Sequence, residues 1–204
     1  PKRKSLVGRS NIDRLEYAQA RKELLSGSSD QPDLPRALRP DVSLKAHQLE
    51  GLAWLQTLYI LREAHNCRGA VLADDMGLGK TLQLLALMAR VIEQNPATDP
   101  MLIVAPLSLL ENWKEEALKF FEDGSLPLLT AYGEDLAGLR VPPEQIEERL
   151  RTEDGLVRFL RPDWVGGAKV VLTTYETLRD LEFSFASQRW SIMVCDEAQK
   201  IKNP

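Results

Sequence analysis

The stretch Ala70–Val91, AVLADDMGLGKTLQLLALMARV, carries Gly79-Lys80-Thr81 where a loop runs into a helix. A glycine-rich turn at a helix start gathers backbone N–H groups, and the helix dipole adds roughly half a positive charge, so such a place suits an anion. Gly77 and Gly79 let the backbone approach phosphate oxygens, Lys80 reaches the β- and γ-phosphates, and Thr81 offers a hydroxyl to Mg²⁺. Asp75, Met76, Gly77, Leu78, Gly79, Lys80 and Thr81 are the expected nucleotide-binding residues. The phosphate-loop pattern G-x-x-x-x-G-K-[ST] wants its first glycine where this chain has Asp74. Far downstream, SIMVCDEAQ is an apolar strand ending in two carboxylates. Asp196 suits Mg²⁺ through its water shell, and Glu197 is placed to polarise an attacking water. A stray Gly-Lys-Thr or a pair of acids at a strand end is common alone; both in order in one α/β pattern are rare by chance.

The elements that must position these groups alternate. GAVLA (69–73), MLIVA (101–105), PLLTAY (127–132), KVVLTTY (169–175) and SIMVCDEA (191–198) read as strands. KTLQLLALMARVIEQ reads as a helix apolar nearly all round, hence buried, and LSLLENWKEEALKFF as an amphipathic helix started by Ser108. Continuous Val, Ile and Leu runs separated by helices imply a mostly parallel sheet covered on both faces. Upstream, Leu44, Gln48, Leu52, Leu55, Leu58 and Tyr59 keep helical spacing, with Ser43 able to cap. Residues 11–25 predict another helix with Asn11 as N-cap, and the Ser/Gly/Pro-rich stretch up to residue 40 reads as a linker. Residues 133–168 are long and mixed in charge, one or two helices inserted between strands.

Bulk composition bounds the function classes. The chain has 204 residues and a net charge of −4. Residues 1–40 hold nine Lys and Arg against five Asp and Glu, which leaves residues 41–204 at −8, so any nucleic-acid surface is a local patch. Two cysteines far apart, Cys67 and Cys195, read as buried free thiols in a reducing compartment, and two histidines make a His-based metal site improbable. With no signal peptide and no apolar run near 18 residues, an intracellular protein without a membrane partner is expected. The start at Pro1 without Met and the abrupt stop suggest a piece of a longer protein.

LADDMGLGKT followed by DEAQ resembles the ATPase core of the superfamily-two helicases, in which the first loop glycine is usually replaced. Asp74 is then no defect, and its side chain is expected to face away from the phosphates, since a carboxylate beside a triphosphate is repulsive. Further motifs resemble the SWI/SNF-type DNA-translocating ATPases: LKAHQLEGLAWL the glutamine motif, then LIVAPLSLLENWKEE, VVLTTYETL and DEAQKIKNP. The resemblance covers about 41–132 and 169–204. It implies an α/β, RecA-like P-loop domain, with Gln48 on the adenine edge and Gln199 joining the ATP contacts. DEAQ in place of the DEAH of eukaryotic remodellers leans toward a prokaryotic source. Residues 1–40 are then an N-terminal extension, and 41–204 an ATP-binding lobe with the 133–168 insertion.

The resemblance also implies duplex DNA as partner. Ser108, Asn112, Thr173, Thr174, Tyr175, Lys200 and Lys202 are its candidate phosphate contacts. For Ser108 a helix cap is an equal alternative, for Thr173 and Thr174 plain strand residues, and for Lys200 and Lys202 a solvated face. In the family a second lobe supplies arginine fingers, worth on the order of 10³–10⁵ in rate, so these residues alone are expected to be nearly inactive. The implied activity is a DNA-stimulated ATPase driving translocation, in the nucleoid of a prokaryote or the nucleus of a eukaryote. The alternatives are an unwinding DNA or RNA helicase and a nucleotide-gated binding module. A small-molecule kinase is poorly supported, having no need of the glutamine motif.

Overall fold

The structure is a computed structural model that describes residues 31–64, 67, 69–75, 77–142, 145 and 159–200. The expected helix over 11–25, Met76, the middle of the 133–168 insertion and Lys202 lie outside the described residues, as does the side chain of Lys200. The chain divides into two units, residues 1–35 with 40–87 and residues 36–39 with 88–204.

In the first unit, α1 (Ala46–Leu61) buries Gln48, Leu52, Ala53, Leu55 and Thr57, one helical face. Its N-cap is Lys45, not Ser43, because the Gln48 side chain reaches back and accepts the Lys45 backbone N–H at 2.9 Å. The upstream chain is tied to α1 by the Gln56 amide, which accepts from the Asp33 N–H at 2.9 Å and donates to the Asp33 carbonyl at 2.7 Å. Residues 69–75, expected to begin with a strand, form none, and Val71 is 83% exposed. An apolar run becomes a strand only when a neighbour takes its backbone groups, and no ladder includes this run among the described residues. Helix α2 (Lys80–Gln94) follows and spans the boundary between the units. Leu82, Gln83, Leu85, Ala86 and Leu87 of its first half are buried, as its near-continuous apolar sequence predicts.

The second unit is built on four parallel strands, β1 (Met101–Val104), β2 (Leu128–Thr130), β3 (Val170–Thr173) and β4 (Ile192–Cys195), in the order β2-β3-β1-β4. β1 and β3 are buried on both faces, which is why they read as unbroken apolar runs. Leu102, Val104 and Val171 line one face with Leu136, Leu160, Val165, Leu181 and Phe185. All four strands are shorter than the sequence predicts, most of all β2, which keeps only Leu128–Thr130, and β3 and β4, which end at Thr173 and Cys195 where the chain turns away.

Helix α3 (Leu107–Phe120) follows β1 and lies against β3. Its N-cap is Pro106 and not Ser108, which sits inside the first turn without a capping bond; the proline ring already fixes a helix-compatible φ. The short helices α4 (Asp135–Leu139), α5 (Tyr175–Asp180) and α6 (Glu182–Ala186) complete the unit. The 133–168 insertion is anchored at both ends: Leu136, Leu160 and Val165 join the core, and Trp164 meets Phe185 edge-on at 5.0 Å between centroids. The end of the expected linker is also structured: Ala37 N–H donates to Glu93 at 2.8 Å and Arg39 N–H to the Phe120 carbonyl at 2.9 Å. Neither cysteine is buried as expected: Cys67 is half-buried, and Cys195 is exposed on β4, the outermost strand among the described residues, whose alternate residues Met193 and Cys195 lie open.

Ser184 fastens the returning insertion, its hydroxyl accepting the Leu160 backbone N–H at 3.0 Å in a buried setting. Ser184→Ala leaves that N–H without its partner and is expected to lower stability by about 1–3 kcal/mol in urea unfolding. An unchanged midpoint would show the bond to be dispensable.

Candidate active site

The phosphate loop lies in the first unit. Gly77 and Gly79 take φ values of 82° and 80°, left-handed backbone that an L side chain rarely adopts. A Cβ on Gly79 would also stand 2.1 Å from Gln48 Nε2, so a side chain there would displace the end of Gln48 as well as strain the backbone. Lys80 opens α2 and turns back over the loop, its ammonium donating to the carbonyls of Asp74 at 2.6 Å and Asp75 at 3.0 Å. Asp74 and Asp75 are exposed, and no acidic side chain stands in the first turn of α2, so the dipole's positive end faces no built-in counter-charge there. Thr81 is half-buried in that same turn.

Gln48 is buried, and each end of its amide has one partner, which leaves a second N–H and a second lone pair: the oxygen accepts from Lys45, and Nε2 donates to the Leu78 carbonyl at 3.2 Å. The His47 ring nitrogen lies 3.2 Å from the same carbonyl. The glutamine motif therefore holds the crown of the phosphate loop, a contact that its sequence position gave no means of deducing.

The acidic pair lies in the second unit. β1 pairs with β3 and β4 in one register, Val104 opposite both Thr173 and Cys195, so three strands end at one level. Asp196 stands one residue past that level, its N–H donating to the Val104 carbonyl at 2.9 Å. Its carboxylate is held at both oxygens, Oδ1 by the Glu197 N–H and Oδ2 by the Trp113 indole N–H, each at 3.0 Å. Tyr175 donates its hydroxyl to the Asp196 carbonyl at 2.8 Å. Burial, with Cys195 and Asp196 nearby, pushes that hydroxyl up to about 12, so it remains a donor at neutral pH. Glu197 has φ 52°, left-handed backbone in a residue with a full side chain, and its carboxylate accepts a hydrogen bond from Gln199. Strain of this kind collects at functional positions.

Candidate DNA contacts separate on burial. Ser108 and Asn112 are exposed one turn apart on α3, with the Asn112 amide donating to Glu116 at 3.1 Å. Thr173 is wholly buried and donates to the Ala131 carbonyl at 2.9 Å, so it is removed as a surface contact. Thr174 is the N-cap of α5, accepting the Thr177 N–H at 3.0 Å, and is likewise buried. Tyr175 spends its hydroxyl on Asp196. Lys200 lies in the 3₁₀ turn Ala198–Lys200 after the acidic pair. Trp113 is a site residue that the sequence reading missed; an aromatic at a core position of an amphipathic helix gives no sign that its N–H meets a carboxylate.

Thr81 in the first unit and Asp196 in the second each offer a hard oxygen of the kind Mg²⁺ takes beside substrate phosphates and water. No cluster of three His, Cys, Asp or Glu able to hold a metal is found among the described residues. No helix among them is long and apolar enough to cross a membrane.

A glycine-rich loop that opens a helix, and an acidic pair past the carboxyl end of a parallel strand, are the marks of an ATPase domain of the RecA-like α/β class. The chain belongs to the SNF2-related domain family, whose sequence pattern matches residues 47–204. It is 50% identical over 195 residues to "Zorya protein ZorD" of Escherichia coli O139:H28, covering 95% of this chain and 18% of that protein. It is 34% identical to the mouse "Chromodomain-helicase-DNA-binding protein 1-like", covering 85% of this chain and 17% of that one. The higher identity to a bacterial relative agrees with the lean drawn from DEAQ. The "Sulfolobus solfataricus SWI2/SNF2 ATPase core in complex with dsDNA" superposes with a TM-score of 0.57 at 32% identity, over 84% of this chain and 30% of that one. The chain thus spans under a fifth of the length of these curated relatives. It is a SNF2-family ATPase domain related to chromatin remodellers.

The backbone at Glu197 yields a prediction. Left-handed conformation costs an L residue about 1–2 kcal/mol, and glycine's extra freedom when unfolded returns about 0.5–1 kcal/mol of that. Glu197→Gly is expected to raise stability by about 0.5–1 kcal/mol in urea unfolding. A lower midpoint would mean that the side chain's bond to Gln199 outweighs the strain.

Proposed function

We propose that this chain is the first ATPase lobe of a motor that translocates along duplex DNA. The observation that carries the reading is the placement of Asp196 beside α3 at the carboxyl ends of the sheet, with Ser108 and Asn112 exposed on that helix. Lys80 neutralises charge on the β- and γ-phosphates, its ammonium already turned back over the loop at the helix start. Bound Mg²⁺ supplies further neutralisation of the phosphates; Thr81 and Asp196 are the residues that hold it. Glu197 orients the attacking water and draws its proton, and Gln199, bonded to it, keeps that carboxylate in place. Asp75, Gly77, Leu78 and Gly79 give backbone contacts to the nucleotide, and Gln48 sets the loop beneath them while contacting adenine.

Ser108, Asn112, Lys200 and Lys202 contact the DNA backbone, which positions a strand without reading its sequence. That the solved relative holds double-stranded DNA supports duplex rather than single-stranded substrate. A second lobe of the same polypeptide supplies the arginine finger. ATP and DNA as substrates imply work inside the cell, on the nucleoid if the source is bacterial.

The ATP site is tested by binding of a fluorescent ATP analogue. Lys80→Ala is expected to abolish affinity, and equal affinity would remove the loop from the site. Glu197→Gln in the full-length protein is expected to bind ATP but lose at least about 10²-fold in DNA-stimulated turnover, since an amide cannot accept the water's proton. Displacement of a third strand from a triplex, without separation of a forked duplex, is the expected motor readout. Strand separation would favour an unwinding helicase, and neither activity a nucleotide-gated binding module. The 204 residues alone are expected to release phosphate at about 10³–10⁵-fold below the full-length rate, with or without DNA. Comparable rates would put the catalytic arginine within them.

A further inference from the structure

We propose that Trp113 is a positioning residue for ATP hydrolysis, holding the Asp196 carboxylate and linking it to the exposed end of α3. The inference rests on the reading of Asp196 as a holder of Mg²⁺. Trp113 is 2% exposed and would pass for an ordinary core aromatic. Its indole N–H, however, donates to a carboxylate oxygen at 3.0 Å. Trp190 gives the contrast: its indole N–H donates at 2.9 Å to a backbone carbonyl, that of Phe185, which satisfies the group with no ionised partner. A bond to a carboxylate is roughly twice as strong as one to a neutral acceptor, so it fixes direction as well as satisfying a donor.

The consequence is a carboxylate held in orientation at both oxygens. All four polar groups of Asp196 have partners: its N–H, its carbonyl and each carboxylate oxygen. The Glu197 N–H comes from the adjacent residue and turns with the local backbone. Trp113 comes from 83 residues away, on a different element, and is the bond that references the carboxylate to the body of the unit. Each carboxylate oxygen keeps a second lone pair, so the bond orients the group without using it up. Trp113 is also the neighbour in sequence of Asn112, and Ser108 lies on the same helix. A ligand that shifts or stiffens the start of α3 therefore acts on the Asp196 carboxylate through one hydrogen bond.

The test uses the full-length protein with Trp113→Phe, which keeps an aromatic ring and removes the N–H. Affinity for a fluorescent, non-hydrolysable ATP analogue is titrated at several Mg²⁺ concentrations and without Mg²⁺, and duplex DNA stimulation of turnover is measured beside it. The expected result is Mg²⁺-supported binding weakened about tenfold, the size of one hydrogen bond to a charged group. Mg²⁺-free affinity and the unfolding midpoint are expected to stay within about twofold and a few degrees of wild type. DNA stimulation falls more than the basal rate. Wild-type Mg²⁺ dependence, or a loss shared equally by Mg²⁺-free binding, would overturn the proposal and leave Trp113 a packing residue. If Trp113→Phe fails to fold, benzothienylalanine at position 113 replaces the N–H by sulfur within the same ring shape, and the same two outcomes decide. Asp196→Asn separates the two readings. If it too leaves Mg²⁺ dependence unchanged, the metal role of Asp196 fails; if it abolishes that dependence while the Trp113 variants do not, only the present inference fails.

Discussion

Met101–Val104 pairs on one side with Val170–Thr173 and on the other with Ile192–Cys195, and both pairings run parallel in one register. Parallel strands share a carboxyl end, so three chains leave the sheet at a common level, and each must turn there. β1 turns into Pro106 and α3, β3 into the Thr174 cap of α5, and β4 into Asp196 and Glu197. Trp113, Tyr175 and Asp196 meet because of this register. A slip of β4 by one residue would send the Asp196 side chain to the opposite face and break its bond to Trp113.

The same edge shows where stability has been exchanged for geometry. Glu197 holds left-handed backbone, and Asp196 has each of its polar groups committed. An acid meant only to cap a strand needs neither. In the first unit the phosphate loop is shaped by comparable means: two glycines with positive φ, and a glutamine side chain that replaces water as partner of the Leu78 carbonyl. In both places a backbone that no regular element would supply is held by side chains from elsewhere in its own unit.

The motif residues were legible because their chemistry is local. A Gly-rich turn before an apolar helix, and an apolar strand before two carboxylates, are contained within a few residues each, and the structure keeps Lys80 at a helix start and Asp196 just past a strand end. The strands β1 and β3 were legible for the same reason, since a segment buried on both faces must be apolar throughout. The cap assignments at Ser43 and Ser108 missed because propensity names a good capping residue but not the competitor that takes the place. Gln48 reaches back to Lys45 in one case, and Pro106 presets the turn in the other. The run 69–73 has the composition of a strand, but a strand is defined by the partner beside it, and composition names no partner.

Sequence alone determined the ATPase chemistry, the α/β class and the order of the motifs, because each follows from residue types at short spacing. Tertiary structure decided what each polar group is bonded to. Thr173 lost its place as a surface contact to burial against Ala131; Gln48 proved to hold the loop, and Trp113 to hold Asp196 across 83 residues. Hydrogen bonds over such separations depend on strand register and helix placement, and those are set by the packing of the whole unit rather than by any window of the chain.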